Sequence, residues 1–180
     1  MRTRGRVLVL SLAVSLVALF ALVGPATSAM AGQETPLLSQ IRKHRSETWQ
    51  WQRLMRAPLT PSTLRAERTA SAEFRRWVLS YWRKQEHGAR RRAKHPRRLE
   101  AWLCIHRHEG PWTAHTGNGY YGGLQMDLQF QRTYGAALLR RKGTADHWTP
   151  FEQIWVAERA FRSGRGFYPW PNTARACGLI

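Results

Sequence analysis

Two segments in the first half of the chain carry mostly apolar residues at helical spacing. A first segment carries five of them: Leu37, Ile41, Thr48, Trp51 and Met55. Two prolines, Pro58 and Pro61, end this pattern. A second segment has a broader stripe: Phe74, Trp77, Val78, Tyr81 and Trp82. The spacing predicts two amphipathic helices. The second stripe is expected to pack against the rest of the protein, with a sugar-binding or membrane-facing surface as the alternative.

A third helical pattern leads to an acidic residue. Trp102 and His106 fall near one helix face, and Glu109 follows at the end of that face. Gly110 is placed to end the helix, and Pro111 prevents its continuation. Glu109 is therefore expected in the last turn of this helix.

The stretch after this helix, residues 112–124, is rich in Gly, Asn and Tyr and predicts a small β element. Residues 116–119 can form a hairpin turn because Asn-Gly accepts positive φ. Tyr120 and Tyr121 would then begin the return strand. The two glycines at 122–123 would let the backbone approach a ligand closely.

Two further helices are predicted after the β element. Asp127 stands where its side chain would cap the first of them. Thr149 and Glu152 have the spacing of a capping box at the start of the second. Glu158 and Arg162 are spaced as an ordinary i, i+4 surface pair.

Charge divides the chain into two parts. Residues 33–98 hold 17 basic and five acidic residues, net +12, whereas residues 99–180 hold nine and six, net +3. The sequence therefore predicts a basic helical appendage with a linker at 32–98, followed by an α+β, mainly α domain at 99–180. The cluster RRRAKHPRR at 90–98 is interpreted as an exposed helix end or linker that could attract phosphate-bearing or carboxylate-bearing polymers.

The first 31 residues have the features of an export signal. Arg2, Arg4 and Arg6 precede an apolar run at 7–23, and the Ala-Met-Ala at 29–31 fits the cleavage rule. An uncleaved membrane anchor is the alternative, since the run is nearly long enough to span a bilayer. Either interpretation places the remainder outside the cytoplasm, secreted, associated with the cell wall or anchored to the membrane.

The two cysteines agree with export. Cys104 and Cys177 form an even pair, which in an exported chain favours a disulfide over a metal or redox site, with two free thiols as the alternative. His106 and His108 flank Glu109 but point in different directions on a helix, unlike the i, i+4 pair of H-E-x-x-H. No metal site is therefore expected.

The second half of the chain resembles a known family. The matching pieces are Cys104 shortly before Glu109, then TGNGYYGGLQMD, EQIWVAER and a terminal PWPNTARAC. In order and spacing they resemble the transglycosylase-like domain of resuscitation-promoting factors, bacterial wall-cleaving proteins of the lysozyme superfamily. The resemblance implies a lysozyme-like domain, Glu109 as the catalytic acid, a bond between Cys104 and Cys177, and a glycan-binding role for Gln153.

The implied substrate is the peptidoglycan glycan strand, cleaved at the β-1,4 bond between N-acetylmuramic acid and N-acetylglucosamine. Candidate substrate-binding residues carry aromatic rings or amides: Trp112, Asn118, Tyr120, Tyr121, Gln125 and Gln153. With Glu109 as the one catalytic carboxylate, the enzyme would be a lytic transglycosylase that leaves a 1,6-anhydro sugar, and this interpretation is favoured. With Asp127 as a second carboxylate it would be a lysozyme-type hydrolase.

Two other classes of protein would also explain an exported basic chain. One is a non-catalytic wall-binding protein, and the other is a secreted basic antimicrobial or nucleic-acid binder. An acid at a helix end, placed before a loop rich in aromatic residues, favours the enzyme over both. The expected partners are peptidoglycan glycan strands and, second, anionic wall polymers. No cofactor, no nucleic acid and, once the signal is removed, no membrane contact is expected, and the oligomeric state is left open.

Overall fold

The computed structural model describes residues 35–180, which belong to one compact unit. The predicted export signal at 1–31 lies outside the described residues. None of the helices between residues 35 and 180 combines the length and hydropathy that a membrane crossing requires.

The first half of the described chain forms three helices: α1 (Pro36–Met55), α2 (Leu64–Thr69) and α3 (Ala72–Ala93). This confirms both amphipathic helices. Thr35 caps α1, and Arg56 ends it in the left-handed region at φ 53°. Helices α1 and α3 pack against each other around a small buried cluster: Ile41, Val78, Leu79 and Trp82.

The apolar stripe of α3 is divided between the interior and the surface. Val78 and Trp82 are fully buried, whereas Phe74 and Trp77 keep 39% and 59% of their surface exposed. The exposed rings contact their own neighbours along the helix, since Trp77 stacks on Tyr81 with ring centroids 5.9 Å apart. The predicted packing against the rest of the protein therefore holds for half of the stripe.

The second half contains four helices and a two-stranded antiparallel sheet. The elements are α4 (Leu99–Glu109), β1 (Tyr120–Tyr121), β2 (Met126–Asp127), α5 (Leu128–Lys142), α6 (Pro150–Ala160) and α7 (Pro171–Ala176). Asp127 caps α5, and Thr149 with Glu152 forms the capping box of α6, as predicted. The mainly α fold with a small β element is confirmed and fits a lysozyme-like domain.

The two strands of the β element are joined by a different turn from the predicted one. Tyr120 pairs with Asp127 and Tyr121 with Met126, so the chain reverses at residues 122–125. The expected hairpin over 116–119 is reduced to one bridge between His115 and Tyr121. Within the reversal at 122–125, Gly122 adopts φ 74° and Gln125 adopts φ 45°, and these conformations let the chain turn within four residues.

The basic helices, α1 and α3, share a core with the second half of the chain. Leu54 of α1 packs against the main cluster around Trp102, and Met55 joins Ala93 and Trp155 in a second cluster. Trp155 Nε1 donates to the carbonyl oxygen of Ala93 at 2.7 Å. The boundary at residue 98 thus remains a prediction, while the contacts across it are part of the fold.

Arg159 of α6 makes a further connection to α1. Its guanidinium donates to the carbonyl oxygens of Leu54 at 2.6 Å and Tyr134 at 2.8 Å. Leu54 lies in α1 and Tyr134 in α5, so one side chain holds three helices together.

Glu158 is the main correction to the sequence analysis. It is 3% exposed, and its carboxylate accepts from Trp102 Nε1 at 2.8 Å and from Arg98 at 2.9 Å. Arg162 donates instead to the main-chain oxygen of Glu158. The predicted surface pair is therefore wrong, because the carboxylate turns inward to the start of α4, where a buried indole N–H needs an acceptor.

Replacing Glu158 by alanine is expected to lower the free energy of unfolding by about 2–4 kcal/mol, since the change leaves a buried indole N–H and a cation without their acceptor. Glu100→Ala, at an exposed position of α4, is the matched control and should cost under about 0.5 kcal/mol. Urea denaturation of both variants measures the difference. Equal midpoints for the two would contradict this role of Glu158.

Candidate active site

Glu109 is the last residue of α4 and is half-buried. Gly110 follows at φ 138°, a conformation that turns the chain away from the helix axis and that other residues rarely adopt. Thr173 Oγ1 donates to Glu109 Oε1 at 2.8 Å. One carboxylate oxygen is therefore held by a hydroxyl group, which fixes the direction of the side chain.

The disulfide brings Thr173 to this position. Cys104 in α4 is bonded to Cys177 at the end of α7, with their Cα atoms 6.0 Å apart, as predicted. Thr173 precedes Cys177 by four residues and so lies on the same face of α7. The bond thus draws that face of α7 toward the end of α4.

His108 lies beside the disulfide. Its ring nitrogen and the two sulfur atoms are within 4.8 Å of one another. Sulfur in a disulfide offers no thiolate, the form that binds zinc, so this group does not make a metal centre.

Gln153 of α6 joins the loop after Glu109 to the rest of the domain. Its Nε2 lies within hydrogen-bond distance of the carbonyl oxygens of Trp112 (2.8 Å), Ala145 (2.9 Å) and Trp148 (3.1 Å). Its Oε1 accepts from the N–H of Gly123 at 2.8 Å. The side chain is 0% exposed. Gln153 therefore positions the loop, and the glycan-binding role that the resemblance implied stays a prediction.

Two glycines in the loop are required by close contacts inside the protein. A Cβ atom on Gly122 would lie 2.5 Å from Gln153 Oε1, and one on Gly123 would lie 2.6 Å from His106 Nδ1. The sequence analysis expected these glycines to admit a ligand. In the structure these glycines bring the main chain against the protein's own side chains, and their approach to a ligand stays a prediction.

Trp112 is half-buried and has one face covered. Its ring stacks on His106 with centroids 3.8 Å apart and an interplanar angle of 16°. Since Trp112 also receives the amide of Gln153 at its carbonyl oxygen, both its ring and its main chain are fixed. Any contact with a ligand is left to the opposite face of the indole.

The other predicted residues lie on the β element. Asn118 Oδ1 accepts from the N–H of Tyr120 at 3.0 Å, which shapes the turn. Tyr121 packs on the His115 ring at 4.9 Å, while Tyr120 is exposed. Gln125 Nε2 donates to the carbonyl oxygen of Gly122 at 2.9 Å. Tyr120 is thus the aromatic ring of this group that is most available to solvent.

A cavity of about 290 Å³ lies beside the β element. Its walls include Tyr120, Gln125, Asp127 and Trp170. Asp127 Oδ1 accepts from the N–H of Phe130 at 2.6 Å, the predicted helix cap. Glu109 is connected to this wall through Thr173, whose hydroxyl also lies 3.3 Å from the carbonyl oxygen of Trp170.

Part of the chain is similar to known proteins. The family model named transglycosylase-like domain matches residues 102–173. That segment of the chain is therefore similar to transglycosylase-like domains. Resuscitation-promoting factor RpfE of Mycobacterium tuberculosis is 41% identical over 66 residues, which is 37% of this chain and 35% of that protein. Resuscitation-promoting factor Rpf1 of Corynebacterium glutamicum is 39% identical over 73 residues, 39% of this chain and 35% of that protein. The chain thus spans about a third of the length of these relatives.

Thr173 is the residue beside Glu109 that sequence reasoning missed. The matched segment ends at this residue, and the contact joins positions 64 residues apart. The available signal was the four-residue spacing from Cys177, because a disulfide to α4 brings that face of α7 toward Glu109.

Replacing Gln153 by alanine is expected to lower the free energy of unfolding by at least about 2 kcal/mol, because several buried main-chain groups lose their partner. Gln129→Ala, at an exposed position of α5, is the matched control and should change stability by under about 0.5 kcal/mol. Thermal unfolding followed by circular dichroism measures both. A Gln153→Ala variant as stable as Gln129→Ala would show that the loop does not need the amide.

Proposed function

We propose that the chain cleaves peptidoglycan glycan strands at the bond between N-acetylmuramic acid and N-acetylglucosamine, as a lytic transglycosylase. The observation that carries the proposal is the setting of Glu109. It ends α4 inside the matched segment, and Thr173 fixes its half-buried carboxylate at 2.8 Å.

Glu109 acts in two steps. Thr173 holds Oε1, so Oε2 is the oxygen that meets the substrate. Glu109 first donates its proton to the glycosidic oxygen as the bond to C1 breaks, and the N-acetyl group of the substrate stabilises the positive charge at C1. The substrate's own 6-hydroxyl then bonds to C1 and gives its proton back to Glu109. The products are a free sugar hydroxyl and a 1,6-anhydro sugar.

Asp127 has a structural task that supports this one-carboxylate mechanism. Its Oδ1 accepts the N–H of Phe130 at 2.6 Å and so caps α5. A hydrolase of the two-carboxylate kind needs a carboxylate free to bind or activate water. The hydrolase is the second candidate, because Asp127 also lines the cavity beside Tyr120.

The compartment is part of the proposal. A disulfide between Cys104 and Cys177 is expected to persist in an oxidising environment. Peptidoglycan also lies outside the cytoplasm. The chain is therefore proposed to act as a secreted or wall-associated enzyme.

Glu109→Gln is expected to lower the cleavage rate by at least ~10²-fold while binding to purified peptidoglycan persists, because glutamine keeps the volume but donates no acidic proton. Zymography measures the rate, and mass spectrometry of the released fragments identifies their ends. Asp127→Asn is the control, since asparagine remains a good cap. It should keep most activity and release anhydro sugars.

Two outcomes would contradict these roles. Near-wild-type activity of Glu109→Gln would favour a non-catalytic wall-binding protein. Loss of activity in Asp127→Asn, together with reducing ends in the wild-type products, would favour the hydrolase.

Thr173→Val is expected to lower kcat roughly tenfold with little change in KM, because it removes the hydroxyl that directs Glu109. Thr173→Ser keeps the hydroxyl and should restore most of the loss. Steady-state kinetics on soluble glycan fragments, with thermal midpoints of both variants, tests this role. Equal rates for the valine and serine variants would rule out a positioning role for the hydroxyl.

A further inference from the structure

A cationic groove lies where the ends of α1 and α3 meet α6. Its volume is about 560 Å³, and its floor includes Met55, Ala57 and Trp155. Its walls carry five arginines and a histidine: Arg56, Arg91, Arg92, His95, Arg97 and Arg162. No aspartate or glutamate is among the described residues that line it. The cations come from three segments of the chain, so folding assembles a charge that no single segment has.

The fold holds these segments in place. Trp155 Nε1 binds the carbonyl oxygen of Ala93 at 2.7 Å, which fixes the end of α3 on α6. Arg162 Nε donates to the carbonyl oxygen of Glu158 at 3.2 Å. Arg56 is fixed by the left-handed turn that ends α1. The groove is therefore lined by helix ends and by the turns that follow them.

Among residues 35–180, the cations of the groove have no acidic partner. Within residues 35–180, Arg56, Arg91, Arg92 and Arg97 form no ion pair with an aspartate or glutamate. Burial, together with repulsion from Arg56 and Arg162, lowers the pKa of the neighbouring Arg159 to about 10. The positive charges of these arginines thus lie close enough to repel one another, and a bound anion would reduce that repulsion.

We propose that this groove binds a linear phosphodiester polymer, of the kind in which phosphate groups join small polyol units on the outside of a cell. One guanidinium group can donate two parallel hydrogen bonds to the oxygens of a phosphate group, a geometry that other side chains lack. The oxygens of each phosphodiester can also accept from more than one arginine. Several guanidinium groups in one open groove match a ligand with repeated negative charges. The location of that polymer in the wall rests on the proposed function.

The groove does not suit nucleic acid. Proteins that bind single strands stack the bases on exposed aromatic rings. Trp155 is only 9% exposed, and the guanidinium of Arg162 lies 5.7 Å from its ring centroid. Phe74 and Trp77 are exposed but lie roughly 20–25 Å away along α3 at 1.5 Å per residue. Tyr168 is exposed six residues beyond Arg162 and is not among the described residues that line the groove. Phosphates would be bound here, while bases would find no exposed aromatic ring in the groove lining.

Binding in the groove would keep the catalytic domain beside its substrate. Because the basic helices and the domain share a core, a polymer held in the groove also holds Glu109 near the wall. A second weak contact of this kind raises the effective concentration of enzyme at the surface.

The test uses the full, disulfide-bonded chain and a fluorescent hexamer of glycerol phosphate. The triple variant Arg91→Gln, Arg92→Gln, Arg97→Gln is expected to bind the hexamer at least tenfold more weakly than the wild type. The slope of log affinity against log salt should fall by roughly 2, since about three phosphate contacts are lost. The matched control removes three exposed charges elsewhere: Arg65→Gln, Arg68→Gln and Arg76→Gln. It should change affinity by less than threefold.

Three outcomes would overturn the proposal. Equal losses in the two triple variants would show a diffuse charge effect. A single-stranded DNA hexamer bound as tightly as the glycerol phosphate would indicate nucleic acid, and an equally bound glutamate hexamer would show that phosphate is not preferred.

A second measurement covers the case in which the triple variant does not fold. In the wild type, the glycerol phosphate hexamer should shift the side-chain NMR signals of Arg91, Arg92 and Arg97 and leave that of Arg76 in place. Unchanged groove signals would overturn the proposal. Glu109→Gln should bind the hexamer like the wild type, so failure of the catalytic proposal is seen separately.

Discussion

The position of Glu109 depends on a buried carboxylate two helices away in the chain. Glu158 of α6 accepts from Trp102 and Arg98 at the start of α4, and so fixes the helix that ends in Glu109. Helix α6 also carries Gln153, whose side chain binds the main chain of the loop beyond Glu109. The helix α6 therefore sets both the beginning of α4 and the path of the chain after it, and the disulfide with Thr173 fixes the remaining side.

The features that could be predicted from sequence are those governed by local rules. Caps at Asp127 and Thr149 were found because a side-chain oxygen satisfies N–H groups within three residues. The end of α4 at Glu109 was found because glycine and proline follow it. The bond between Cys104 and Cys177 followed from there being only two cysteines in the chain.

The features that could not be predicted depend on partners distant in sequence. Spacing pairs Glu158 with Arg162, but a buried indole N–H 56 residues earlier binds that carboxylate. Spacing also does not show that Gln153 would be enclosed by main-chain groups. The stripe of α3 was misjudged for the opposite reason, because periodicity reveals an apolar face without showing how far the opposing surface extends over Trp77.

Helix α6 lies inside the matched segment but contacts the basic helices, which lie before it in the chain. The segment that the family model matches begins at residue 102, yet Arg159 and Trp155 within it bind the main chain at Leu54 and Ala93. The matched segment is thus shorter than the set of residues that depend on one another for their folded positions. A fragment limited to residues 102–173 would leave the Arg159 guanidinium and the Trp155 indole N–H without their acceptors at Leu54 and Ala93.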